Sequence, residues 1–184
     1  MLSGSSRSIA HIALFAALTA VIGLIPKIDL PFGVPITAQT LGVMLAGCLL
    51  GPTRGFLAML LFLGGVALGL PLLSGGRGGL GILMGPTAGY LIAWPLGALV
   101  TGFAMQHLAG AVWARAFMAS ALGGLIVLHV VGIGGLILLA NMQPAQAILA
   151  DLAFVPGDLI KCGLVAALVH AIARGLPDWQ INRA

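Results

Sequence analysis

Apolar residues fall in six long runs, separated by short stretches rich in proline, glycine or charge. A helix needs about 20 apolar residues, within a range near 17–25, to cross a bilayer. Read this way, the runs predict spans over about 9–25, 36–50, 56–73, 86–105, 116–139 and 152–173. The first stops at Pro26 and opens a loop holding Pro26, Pro31 and Pro35 with Lys27 and Asp29. Proline removes a backbone donor and fixes φ, so this stretch is not helical. The second run is short and starts with Thr37, Gln39 and Thr40. Gly51–Gly55 reads as a tight turn, Ser74–Gly81 as a glycine-dense loop, and Arg174–Ala184 as a polar tail. Arg7 before the apolar run from Ile9 has the look of a signal peptide, but further runs follow, so it is expected to stay as the first span.

Composition agrees with this pattern. Of 184 residues, 60% are hydrophobic and 7% charged, against about 25% charged in a soluble domain. The fold class expected is all-α integral membrane, a single domain built as a six-helix bundle in the lipid bilayer of the cell membrane. The net charge of +4 comes from very few groups and forms no basic run, so no nucleic-acid partner is expected. Cys48 and Cys162 lie in apolar stretches without CxxC spacing and read as small buried hydrophobes. Lysine and arginine favour cytoplasmic loops. An inside N-terminus puts Arg7, Arg54, Arg115, Arg174 and Arg183 in the cytoplasm and only Lys27 and Arg77 outside. Both termini are then cytoplasmic, and the outer loops are 26–38, 74–85 and 140–151.

Asp158 and Lys161 carry the sharpest chemical signal. They lie one helical turn apart inside an apolar run, where ionised groups cost about 2.5–3.5 kcal/mol each near the bilayer centre. They are either a self-satisfied structural pair or a binding site, and the membrane setting favours the site. Arg77 stands among Gly75, Gly76, Gly78, Gly79 and Gly81. Glycine permits close backbone approach to a ligand, and guanidinium grips a carboxylate through two hydrogen bonds; a solvated loop arginine is the alternative. The local GxGxxG match follows no strand and has no dinucleotide meaning. Gln39 offers donor and acceptor, whereas Thr37 and Thr40 read as helix-capping residues. Tyr90 is either an interfacial anchor or ligand packing, with Trp94 one turn deeper on the same face. Gly-Pro-Thr-x-Gly occurs at Gly51–Gly55 and Gly85–Gly89, which we read as proline in a first helical turn rather than a duplicated transporter repeat. Ala10, Ala13, Ala17 and Ala20, widened by Ala16, form a small-residue stripe on the first span. It serves either bundle packing or docking of another membrane protein.

The four histidines, His11, His107, His129 and His170, show no ligand spacing, so no metal site is expected. No catalytic grouping and no Walker A motif occur, so neither an enzyme nor a cofactor is expected. If ATP drives this protein, the ATPase is another chain.

Four stretches together resemble one family: Pro31–Gly42 (Pro-Phe-Gly-Val-Pro-Ile-Thr-Ala-Gln-Thr-Leu-Gly), Gly76–Gly81, Gly85–Tyr90, and Pro156-Gly157-Asp158 with Lys161. The chain is similar to BioY, the biotin-binding S components of energy-coupling factor (ECF) transporters. The resemblance implies a six-helix bundle that captures biotin from outside. It also implies a transmembrane coupling protein and cytoplasmic ATPase subunits as partners. An Ala-x-x-x-Ala motif would contact the coupling protein, and Ala13/Ala17 and Ala16/Ala20 both match. Substrate-binding residues would be Gln39, Arg77, Gly79, Tyr90, Asp158 and Lys161. An S component for another vitamin and a self-sufficient secondary transporter are the alternatives.

Overall fold

A computed structural model describes residues 4–176. The described residues are mostly helical and form seven α-helices: α1 Gly4–Ile22, α2 Thr40–Leu50, α3 Pro52–Ala67, α4 Ala88–His107, α5 Val112–Leu139, α6 Pro144–Asp151 and α7 Val155–Gly175. A 3₁₀ turn, Leu80–Met84, precedes α4. Within α5, residues Ala121–Val127 adopt π-helical winding. Among the described residues, three helices are long and apolar enough to cross a membrane: α4, α5 and α7. The apolar parts of α1, α2 and α3 are shorter.

Helix limits differ from the expected spans for local reasons. The second span was expected from residue 36, but the Ile36 backbone pairs with Ile28 through two hydrogen bonds, so α2 starts only at Thr40. The third was expected to reach residue 73. It stops at Ala67, because Gly69 takes φ +95° and Leu73 pairs with Arg77. The outer loop expected over 140–151 contains a helix of its own, α6, with Pro144 in its first turn. Pro52 likewise opens α3, while Pro86 falls two residues before α4.

The long helices alternate in direction. Gly89 of α4 meets Gly135 of α5, and Gly97 meets Gly123, so these two run antiparallel in close contact. A side chain at Gly89 or Gly135 would place its Cβ within 3 Å of the other backbone, so only glycine allows this spacing. Thr19 near the end of α1 packs on Gly42 near the start of α2. As a result the C-terminal ends of α1, α3 and α5 gather with the N-terminal ends of α2, α4 and α7. Gly4 and Leu176, the first and last described residues, lie at the opposite end of the bundle.

Helix α2 is the central element. Nine of its eleven residues are buried, with Val43, Met44, Ala46 and Cys48 fully so. At 1.5 Å rise per residue it is roughly 16 Å long, about half a bilayer core. Its start therefore sits deep in the bundle and leaves space above it.

Candidate binding site

A pocket occupies that space. Its floor is Thr40, Asp158 and Lys161, and its walls include Tyr90, Leu91 and Trp94 of α4, Leu128 and His129 of α5, and Phe154. Val34, Pro35, Thr37, Gln39, Leu73, Arg77 and Thr87 complete the lining. Aromatic packing fixes the wall: the Phe154 ring lies 5.5 Å from Tyr90 and 5.9 Å from Phe32, and Trp94 lies 5.4 Å from Phe62.

A continuous polar chain crosses the pocket. Tyr90 Oη donates to Asp151 Oδ1 at 2.7 Å. The other Asp151 oxygen meets His129 Nδ1 at 2.6 Å. His129 Nε2 meets Asp158 Oδ2 at 3.0 Å. Lys161 Nζ donates to Asp158 Oδ1 at 2.7 Å and to Thr40 Oγ1 at 3.0 Å. Thr40 Oγ1 in turn donates to Asp158 Oδ1 at 3.3 Å. Asp151, Asp158 and His129 are 4%, 5% and 7% exposed. Burial at this level is tolerable only because every charge has a partner.

The loops above are pinned by Gln39, which is 1% exposed. Its Nε2 donates to the carbonyls of Thr19 and Leu72, both at 3.0 Å, and its Oε1 accepts from Ser74 N–H at 2.9 Å. One amide thus joins the end of α1, the segment after α3 and the glycine-rich loop. Ser74 Oγ adds a bond to the Ile25 carbonyl at 2.9 Å. In the same loop, Arg77 anchors its Nε on the Ser74 carbonyl at 3.2 Å and lines the pocket with the rest of its side chain. Lys27 and Asp29 pair nearby, and the Lys27 stem crosses Gly75.

Residues 2–178 match the model of the BioY family. The chain belongs to the BioY family. It is 46% identical over 180 residues to the biotin transporter BioY of Rhizobium etli, covering 94% of this chain and 96% of that one. It is also 46% identical over 189 residues to the biotin transporter BioY of Rhodobacter capsulatus, covering 96% and 98%. Its fold matches the crystal structure of the S-component for biotin from an ECF-type ABC transporter, with a TM-score of 0.87, 31% identity and 95% coverage of both chains.

In this BioY-family chain, Gln39, Arg77, Tyr90, Asp158 and Lys161 all line one pocket, as does Trp94. Gly79 does not. It takes φ +94° and gives its N–H to the Val66 carbonyl, shaping the loop. Thr40 departs from the capping role expected of it: α2 has no side-chain cap, and the hydroxyl bridges Asp158 and Lys161 instead. Of the alanines, Ala13 and Ala17 are exposed on α1, whereas Ala16 is buried and Ala20 half-buried. Sequence reading missed His129 and Asp151, which hold the centre of the polar chain. The available signal was spacing: Asp151 and Asp158 stand seven residues apart, two helical turns if the helix were continuous, flanking the aromatic Phe154.

Proposed function

We propose that this protein captures biotin from outside the cell as the substrate-binding subunit of an ECF-type ABC importer. Membership of the BioY family and likeness to the S-component for biotin support the reading. The observation that carries it is the charge-balanced polar chain at the base of an aromatic-walled pocket. Biotin's ureido ring has two N–H donors and one strong acceptor. Asp158 takes an N–H, and Lys161 donates to the ring oxygen. Tyr90, Trp94 and Leu91 enclose the bicyclic ring and the valeryl chain. Arg77, at the pocket's loop side, meets the carboxylate. Gln39 acts by holding the loops, since both of its amide N–H groups are already committed. Buried ionisable groups within a bundle mark a substrate path, because lipid offers them no stabilisation.

In the membrane, α1 to α5 and α7 form six crossings, with the pocket end outside and both termini in the cytoplasm. The lysine and arginine distribution supports this orientation: Arg7, Arg54, Arg115 and Arg174 belong to the end away from the pocket. A transmembrane coupling protein and cytoplasmic ATPases then supply the energy, docking on the exposed Ala13/Ala17 face of α1. Reconstitution in liposomes tests the scheme. Labelled biotin should accumulate only when coupling protein, ATPases and ATP are all present. Accumulation by this chain alone under a proton gradient would instead make it a secondary transporter.

A further inference from the structure

We propose that His129 is the positioning residue that aims Asp158 at the ligand, with Asp151 and Tyr90 anchoring it from behind. The inference rests on the reading of the pocket as a biotin site and names the group that gives that site its direction.

Both ring nitrogens of His129 face carboxylate oxygens, at 2.6 Å and 3.0 Å. An ionised carboxylate only accepts, and a neutral imidazole donates from one nitrogen only. The arrangement is met when the ring carries both hydrogens as an imidazolium. The buried cluster then holds two carboxylates, Asp151 and Asp158, and two cations, His129 and Lys161, so its charges cancel. With a neutral ring and both carboxylates ionised, the pocket floor would carry a surplus negative charge. Such a floor disfavours a ligand that is itself an anion.

His129 also sets a direction. A carboxylate has about four lone-pair sites. On Asp158, Lys161 and Thr40 fill those of Oδ1, and His129 takes one on Oδ2. The site left for a ligand N–H is on Oδ2, the oxygen that His129 fixes. Asp151 reaches His129 from α6, and Tyr90 of α4 holds the other Asp151 oxygen. The carboxylate of α7 is thus oriented by α4, α5 and α6 acting in series.

The test compares two neutral double variants for biotin affinity, His129→Gln with Asp151→Asn and His129→Asn with Asp151→Asn. Both remove one positive and one negative charge. The glutamine amide reaches the place of Nε2 and still donates to Asp158. The asparagine amide reaches the place of Nδ1 and leaves Asp158 Oδ2 without a donor. The glutamine pair should stay within about tenfold of wild type, and the asparagine pair should bind at least tenfold more weakly than the glutamine pair. Equal affinities would overturn the inference. Should either double variant fail to purify as a folded species, His129→Gln is added to Asp158→Asn. No further loss is expected beyond that of Asp158→Asn alone, and a further tenfold loss overturns the proposal. Wild-type protein that does not bind biotin at all contradicts the function, a result separable from either outcome.

Discussion

Asp158 sits where three polar partners converge, so its replacement is the sharpest single change available. Asp158→Asn keeps the shape but leaves His129 and Lys161 sharing one weak acceptor. Removing one partner of a buried pair costs about 3–5 kcal/mol. Biotin affinity should fall by orders of magnitude, with a lowered melting temperature. Adding Lys161→Met removes the orphaned cation and leaves Asp151 balanced by His129. Calorimetry and thermal melts should then show stability restored and binding still lost; wild-type affinity in the single variant would reduce the pair to architecture. Arg77→Ala separates the two ends of the ligand. Hydrogen bonds to charged groups are worth about 1.5–3 kcal/mol, so biotin should weaken roughly 10- to 100-fold while biotin amide changes little. Equal loss for both ligands would confine Arg77 to shaping its loop. Asp158, Lys161 and Arg77 were legible in the sequence because charge is conspicuous in an apolar or glycine-rich setting. His129 was not, because a lone histidine in an apolar run announces no partner. Its partners lie 22 and 29 residues away, and only the fold brings them together.

At the scale of elements, hydropathy located every helix except α6, but not where each one stops. Apolar residues continue through Ile36 and through Leu70–Leu73, yet backbone pairing to Ile28 and Arg77 takes them out of the helices. Hydropathy measures transfer into lipid and is blind to such pairing. The consequence is functional, because the late start of α2 makes the room for the pocket. The stripe on α1 was legible as small residues, but its two registers were equivalent until packing separated them, with Ala16 buried and Ala13 and Ala17 exposed. Close approach between membrane helices depends on small side chains. Ala13→Trp with Ala17→Trp should therefore abolish uptake with the coupling protein and ATPases, while biotin binding by the isolated chain survives. Loss of binding in that variant would place this face inside the bundle. Unchanged uptake would remove α1 as the docking surface.

Across the whole molecule, the alternating helices put the pocket at one end and most of the arginines at the other. The all-helical class followed from composition and the family from four short motifs, since both are local properties of the chain. The assembly of loop 23–39, the glycine-rich loop and Phe154 around one cavity is not local, and it depends on ties such as Gln39 that join segments up to 35 residues apart. These ties prearrange the pocket without nucleotide, in a chain that has no motif for binding one. The most direct test is calorimetric titration of the purified chain with biotin in the absence of ATP and partner subunits. One saturable site filled at micromolar biotin or below is the expected result. Neither heat nor saturation at micromolar biotin would contradict the account.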